Sequence, residues 1–172
     1  MPESKKGKRS AHAVKPVIGW REWIRFPELG IEAIKAKVDT GARTSSLHAF
    51  DVEEVEENGL TLIRFKIHPE QRVSRPTLSV ELPLLARRRV RDSGGKAEFR
   101  PVVEAVIELL GQRWPIELTL TRRDAMGFRM LLGRQAIRRR FIVDPGDSYL
   151  AGKRSRKKGS LKKRSSSERS EK

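Results

Sequence analysis

The chain has 172 residues, no cysteine and a formal net charge of +16. This length can bury the core of one ordinary domain, and the lack of cysteine excludes disulfides, thiolate metal sites and thiol nucleophiles. No stretch reaches the roughly 18 apolar residues of a membrane helix and no signal peptide is visible, so we expect a cytoplasmic protein without a membrane segment.

Most of the positive charge lies in two terminal segments. Residues 1–15 carry five basic and one acidic side chain, and residues 151–172 carry ten basic and two acidic ones. Both have few large apolar side chains and bury too little surface to offset their ordering entropy, so we predict disordered tails around a domain at residues 16–150. Basic tails of this kind would bind the ribosome or RNA through contacts with phosphates, or would only keep the protein in solution.

Between the tails the sequence predicts a series of short β-strands. Alternating apolar residues mark strands in VIGWREWIRF, IEAIKAKVD, LHAFDVEEV and LTLIRFKIHP, and the last two flank Asn58-Gly59, a strong hairpin signal. Further strands are predicted in PTLSVELPLL, FRPVVEAVIELL, WPIELTLT and RFIVDP, whereas only residues 134–140 are predicted to be helical. Many short strands with one late helix favour an all-β fold with a closed or nearly closed barrel. Trp20, Trp23 and Trp114 are interpreted as core or dimer-contact residues.

Asp39-Thr40-Gly41 ends the predicted strand IEAIKAKVD. A strand delivers its last side chain to a fixed place, so this acid is either a turn residue or a positioned catalytic group. Gly41 lets backbone amides approach the carboxylate, Thr40 offers a hydroxyl, and Ala42 is small enough to leave the floor of a cleft open. A bare triplet of this kind is more often a turn, so its context has to decide.

The segment MLLGRQAI, about ninety residues downstream, supplies that context. VDTGA followed by LLGR and a short helix resembles the retropepsin-like aspartic peptidases. The longer motifs KVDTGARTSSLHA, RPVV, ELTLTRRDAMGFRMLLGR and FIVDPGDSYL are similar to the RimB branch of that family, whose members are also called ATP-dependent zinc proteases. Genes of this branch are associated with the glutamate ligase RimK, which adds glutamates to a small-subunit ribosomal protein, so the resemblance implies that glutamates on that protein are a substrate to be trimmed. The resemblance covers roughly residues 16–150.

The resemblance implies a retropepsin-like closed barrel and a role for each motif. Asp39 would be the catalytic acid, with Thr40 and Gly41 supporting it. The apolar segment beside this loop would be Leu131, Leu132 and Gly133. An aspartic peptidase needs two carboxylates that share one proton. Since one chain supplies one such aspartate, two copies would meet about a twofold axis as a homodimer.

The sequence DSGG, which begins at Asp92, contains a second triplet of an acid, a hydroxyl residue and a glycine. It would allow a one-chain pseudodimer if it were a second catalytic loop. Arginines rather than an apolar run precede it, and two lobes would need about twice as many strands. We therefore interpret it as a hairpin tip.

The residues give little support for the binding of zinc or ATP that the family name suggests. The histidines are His12, His48 and His68, there is no cysteine, and no H-E-x-x-H motif occurs. The segment Gly94-Gly95-Lys96-Ala97 lacks the glycine spacing and the Ser or Thr of a phosphate-binding loop. We expect no metal and no cofactor.

The substrate prediction depends on arginines near the motifs. Arg43 and Arg134 would contact the substrate together with Ala42, and guanidinium groups favour acidic peptides such as the glutamate chains made by the associated ligase. Arg134 has an alternative role in pinning the helix to the barrel. The competing function is a non-catalytic β-barrel binding module, tethered to ribosomes or RNA by its tails, in which the triplet is only a turn.

Overall fold

A computed structural model describes residues 14–70, 76–91, 97–122 and 127–152. In these ranges the chain is almost entirely β-structure with a single four-residue α-helix and one 3-10 turn, so the all-β expectation is confirmed. The strands are β1 (Val17–Gly19), β2 (Arg21–Phe26), β3 (Ile31–Asp39), β4 (Ser45–His48), β5 (Phe50–Glu57), β6 (Leu60–Ile67), β7 (Leu78–Arg91), β8 (Ala97–Leu109), β9 (Gln112–Thr121), β10 (Met130–Gly133) and β11 (Ile142–Asp144). The 3-10 turn is Pro27–Leu29, and helix α1 is Arg134–Ile137.

Nine of these strands form one sheet in the order β2-β3-β10-β4-β9-β8-β7-β6-β5. β10 lies between β3 and β4, parallel to the first and antiparallel to the second. β1 and β11 form a separate parallel pair. One further pairing, Arg25 opposite Glu108, brings β2 beside β8. A single residue pair joins the two strands there, so the closed barrel stays a prediction.

The strands follow the hydrophobic alternation of the sequence. In β2 the side chains of Glu22, Ile24 and Phe26 are buried while the intervening ones are partly exposed. The largest fully buried side chains come from strands across the nine-stranded sheet and, for Ile18, from β1, and they form one core: Phe26, Phe65, Ile18, Ile24, Ile34, Leu47, Ile63, Ile67, Ile107, Leu118, Met130 and Leu132. Trp114 belongs to this core, one of the two places predicted for it, and its Nε1 donates to the Ala136 carbonyl at 3.1 Å. Trp20 and Trp23 are only half-buried.

Several predicted boundaries are wrong. VIGWREWIRF is broken at Trp20 into β1 and β2, and LHAFDVEEV is broken at Ala49 into β4 and β5. The helix ends at Ile137 rather than Arg140, because Arg138 leaves helical geometry with ψ 138. The Asn58-Gly59 hairpin is confirmed: both residues have positive φ, 51 and 78, as a tight hairpin turn requires.

Other predictions fall on residues outside the described ranges. These are the disorder of the tails, apart from their innermost residues, and the hairpin tip at Asp92. None of the helices in the described part of the chain has the length and apolarity needed to cross a bilayer.

Candidate active site

The loop that connects β3 to β4 is organised around the carboxylate of Asp39. Its Oδ1 atom accepts hydrogen bonds from the backbone N–H groups of Gly41, at 3.1 Å, and Ala42, at 3.0 Å. Within the described ranges no group donates to Oδ2, and the side chain is half-buried. One carboxylate oxygen is therefore fixed by the loop, and the other is available to water or to a second acid.

β10 supports this loop from one side. Leu132 lies opposite Val38 and Gly133 opposite Asp39 in the parallel pairing of β10 with β3. The N–H of Gly133 donates to Ser45 Oγ at 3.0 Å, which ties β10 to the far end of the loop. Leu131, Leu132 and Gly133 are all buried. The segment therefore lies beside the acid loop.

Helix α1 supports the loop from a second side. The backbone N–H of Arg134 donates to the Ala42 carbonyl at 2.8 Å, and that of Gln135 donates to the Arg43 carbonyl at 3.0 Å. The Arg134 guanidinium donates through Nη1 to the Thr40 carbonyl at 2.9 Å. The loop carbonyls therefore accept hydrogen bonds from two amides at the start of the helix that have no partner within the helix. The same three bonds set the path of the loop backbone.

The predicted site residues all converge on this loop. Thr40, Gly41, Arg43 and Arg134 are exposed, and Ala42, like Asp39, is half-buried. The loop therefore presents an open face on which a substrate or another copy of the chain has access to the acid. The roles assigned to these residues remain predictions.

Ser45 is a supporting residue that sequence reasoning missed. Its side chain is buried, with 2% of its surface exposed, and its hydroxyl accepts the hydrogen bond from Gly133. The only signal for it in the sequence is a hydroxyl residue at the start of the strand after the loop. The partner lies 88 residues away, so local pattern does not reveal it.

The described residues do not fit a zinc site. No group of three or more His, Asp and Glu side chains close enough to hold a metal occurs in the described ranges. His48 is buried on β4, and Asp51 pairs with Lys66 at 2.9 Å. The His68 ring packs against Phe50 with centroids 4.4 Å apart. No step of the chemistry below is therefore assigned to a metal.

The all-β fold and the loop supported by β10 and helix α1 agree with the class that the motifs resemble, the retropepsin-like proteins. Residues 17–154 match the RimB-like family, described as "Retropepsin-like aspartic endopeptidase RimB". The chain belongs to this family.

Two curated relatives are longer proteins with a different name. The chain is 45% identical over 140 residues to a "Probable alpha-L-glutamate ligase" of Shewanella pealeana, covering 81% of this chain and 31% of the relative. It is 46% identical over 138 residues to a protein of the same name from Parasynechococcus marenigrum, covering 80% of this chain and 30% of the relative. The chain thus spans about a third of the length of these relatives.

A solved structure shares the fold. The crystal structure of protein Lpg0085 from Legionella pneumophila, described as having unknown function, aligns with a TM-score of 0.67 and 27% sequence identity. The alignment covers 80% of this chain and 99% of that chain. The likeness therefore extends over the whole of the Legionella protein.

Proposed function

We propose that this chain is an aspartic peptidase that works as a homodimer, with Asp39 of each copy facing a shared cleft. The observation that carries the proposal is the Asp39 carboxylate, which has one oxygen fixed by Gly41 and Ala42 and the other oxygen open. The family match supports the same chemistry. A single loop of this kind supplies one acid, and the reaction needs a pair.

The two carboxylates would share one proton, because like charges this close cannot both ionise. The ionised Asp39 takes a proton from a water molecule, whose oxygen attacks the scissile carbonyl carbon. The protonated Asp39 gives its proton to the carbonyl oxygen, forming a neutral gem-diol. In the collapse of the gem-diol, the Asp39 that took the water proton gives a proton to the departing nitrogen, and the other Asp39 takes a proton from one diol hydroxyl. The C–N bond breaks, and a carboxylic acid and an amine are released. The pair of aspartates then holds one proton again.

The proposed substrate is a chain of glutamates joined by amide bonds. The relatives named glutamate ligases contain a segment that matches this chain. A ligase that adds glutamates and a peptidase that removes them act on one product, so their presence in one polypeptide would place opposing activities together. Arg43 and Arg134 are exposed beside Asp39 and would favour an acidic substrate.

The direct test compares the wild type with Asp39→Asn on a ribosomal-protein peptide extended by glutamates, with released glutamate measured by mass spectrometry. Asn keeps an oxygen that accepts the loop amides but has no carboxylate, so release should stop while the fold is retained. Arg138→Gln, an exposed change one turn along the chain from Arg134, is the control and should cleave normally. Normal cleavage by the Asn variant would rule the proposal out.

The dimer is tested by mixing subunits. If each copy supplies one acid, added Asp39→Asn protein forms inactive mixed dimers, and the activity per wild-type subunit falls as the variant is added. If each chain works alone, the variant has no effect. Cleavage by a protein that remains monomeric in sedimentation would contradict the shared cleft.

A second candidate function is a binding module without catalysis, and one observation favours it. The bond from the Gly41 N–H to Asp39 Oδ1 has the pattern of an Asx turn, in which an aspartate serves only to fold the loop. In that case Asp39→Asn leaves every measured activity unchanged. The peptide assay separates the two functions, because only a peptidase releases glutamate and loses that release when Asp39 is replaced by Asn.

A further inference from the structure

The outer face of β2 and β3 carries a cluster of aromatic and cationic side chains that contact one another. Arg21 lies between two rings, with Cζ 4.5 Å from the Trp20 centroid and 5.1 Å from that of Tyr149. Tyr149 stacks on Trp23 with centroids 5.7 Å apart and an angle of 19° between the rings. Lys35 Nζ lies 5.6 Å from the Trp23 centroid. These five residues, with Lys37, are called the aromatic-cation stripe.

The strand register explains how the stripe forms. Arg21 lies opposite Lys37, and Trp23 lies opposite Lys35, in the antiparallel pairing of β2 with β3. Directly opposed side chains share one face of a sheet about 5 Å apart. The intervening residues of β2 point into the core, so all of the stripe's strand residues lie on the other face. Tyr149 joins them because its backbone N–H donates to the Arg21 carbonyl at 2.9 Å.

The charge of the stripe is not balanced by acids. Within the described ranges, no carboxylate forms an ion pair with Arg21, Lys35 or Lys37, whereas nine other pairs join cations to acids elsewhere in those ranges. Arg21 is held instead by Ser148 Oγ, which accepts from its Nε at 3.0 Å. Lys37 is exposed, and the other members of the stripe are half-buried. Arg21 and Lys35 thus lie against aromatic rings, and Lys37 is exposed opposite Arg21.

We propose that the aromatic-cation stripe binds single-stranded RNA. Cations without acidic partners bind phosphates, and aromatic rings and guanidinium planes stack against bases. An acidic peptide would use the cations alone and gain nothing from three large rings. The combination of rings and cations therefore favours a ligand that carries both bases and phosphates.

The sequence that follows the stripe is strongly basic. The described chain continues only three residues beyond Tyr149, to Gly152, and residues 153–172 contain ten basic side chains and two acidic ones. A polyanion such as RNA is attracted by this charge as well as by the stripe.

The test measures fluorescence anisotropy of a labelled oligouridine of about 12 nucleotides, a length in the range of single-strand sites. The full chain with Lys35→Gln and Lys37→Gln is compared with Arg87→Gln and Arg89→Gln on β7, which is not paired with β2 or β3. Both double variants lose two charges and keep both terminal segments. Only the stripe variant should bind more weakly, with the slope of log affinity against log salt reduced by about 1.4 for two lost phosphate contacts.

A second variant tests the rings. Trp23→Leu keeps the charge of the stripe but removes one stacking surface, and it should weaken oligouridine binding by about fivefold or more. Its thermal unfolding is measured beside the binding, and Tyr149→Leu repeats the test if Trp23→Leu fails to fold. Asp39→Asn should bind as the wild type does, which separates this proposal from the proposed peptidase activity.

Three outcomes would overturn the proposal. The first is equal weakening by the stripe pair and the β7 pair, which would mean that only overall charge matters. The second is unchanged RNA binding in the ring variants. The third is loss of binding to a labelled oligoglutamate in the stripe variants while RNA binding stays the same, which would make the stripe a peptide surface.

Discussion

Gly133 lies so close to the backbone of Thr44 that a Cβ at position 133 would sit 2.4 Å from both the carbonyl carbon and the carbonyl oxygen of Thr44. It would also lie 2.8 Å from the Ser45 nitrogen. These atoms belong to the backbone and cannot rotate away. β10 therefore reaches the Asp39 loop only because residue 133 has no side chain.

The first prediction is that Gly133→Ala destabilises the protein and abolishes peptide cleavage. Forcing a methyl group into a packed region costs about 1–3 kcal/mol, and here the strain falls on the loop that holds the acid. Urea unfolding and the peptide assay measure the two effects. Gly127→Ala is the matched control, because a Cβ there meets nothing within 4 Å. Equal behaviour of the two variants would contradict the close contact.

The second prediction separates the two uses of Asp39. Asp39→Ala removes the acceptor of two loop hydrogen bonds and should lower the free energy of unfolding by about 1–2 kcal/mol. Asp39→Asn keeps an acceptor and should be close to the wild type in stability, while being equally inactive. Thermal unfolding of the three proteins checks this. An Asn variant as unstable as the Ala variant would mean that the loop depends on the negative charge.

The third prediction concerns Arg134, whose guanidinium holds the Thr40 carbonyl at 2.9 Å. Arg134→Gln should reduce kcat more than it reduces stability, because the side chain is exposed but sets the path of the loop. If Arg134 instead binds the substrate, KM rises and kcat is preserved. Steady-state kinetics with Arg138→Gln as the control distinguishes the two. Unchanged kinetics would exclude both roles.

The fourth prediction concerns Glu22, which is fully buried in β2. Its Oε1 accepts from the backbone N–H groups of Gly19, at 2.6 Å, and Leu150, at 2.9 Å, and its Oε2 accepts from that of Ala151 at 3.2 Å. Glu22→Gln replaces one acceptor by a donor, so we expect a loss of about 2–3 kcal/mol and faster hydrogen exchange at the Leu150 and Ala151 amides.

The control for Glu22 is Glu28→Gln, an exposed change in the 3-10 turn that should leave both measurements unchanged. Unaltered exchange at Leu150 and Ala151 in the Glu22 variant would show that the carboxylate does not hold the segment. A uniform rise in exchange across the chain would point to global rather than local loosening.

The fifth prediction is a pH effect at the contact between β2 and β8. The hydrogen bond from Arg113 to Glu108, at 2.5 Å, together with the charges of Arg113 and Arg25, lowers the pKa of Glu108 from its usual 4.5. Because the folded state holds this carboxylate ionised more strongly than the unfolded state does, its contribution is full above pH 4.5 and is lost as the pH falls through the lowered value.

Glu108→Gln should therefore lower the urea midpoint at about pH 7 and have a smaller effect at about pH 3, where the wild type has lost the same contribution. Glu32→Gln, which removes a more exposed partner of Arg25, should change the midpoint less at either pH. If the urea midpoint of Glu108→Gln differs from that of the wild type by the same amount at both pH values, the lowered pKa of Glu108 does not contribute to stability as described.

The strands were predictable where alternation or turn chemistry is local. Asn58-Gly59 specifies its hairpin through two residues that accept positive φ, and IEAIKAKVD predicts β3 up to Asp39. The breaks at Trp20 and Ala49 were not predictable, because apolar alternation continues across them. At both breaks the backbone bonds to a distant segment: the Ala49 N–H donates to the Thr121 carbonyl and the Trp20 N–H to the Asp147 carbonyl.

The site was predictable as a motif but not as a set of contacts. Asp39 and Gly133 are visible in the sequence because their neighbours resemble a family. Ser45 and Glu22 are not, because the groups they bind lie far away along the chain. Glu22 even occupies a core-facing position in a strand, where an acid is unfavourable unless distant amides satisfy it.

The position of β10 between β3 and β4 also orders events during synthesis. The two strands that flank the acid loop lie beside each other in the sequence, yet a segment some ninety residues later separates them. A nascent chain that has emerged only as far as β9 cannot complete the supported loop, because β10, the strand that supports it, is still in the ribosome. Long-range closure of this kind is slow compared with hairpin formation. The chain therefore completes most of its sheet before it acquires a finished acid loop.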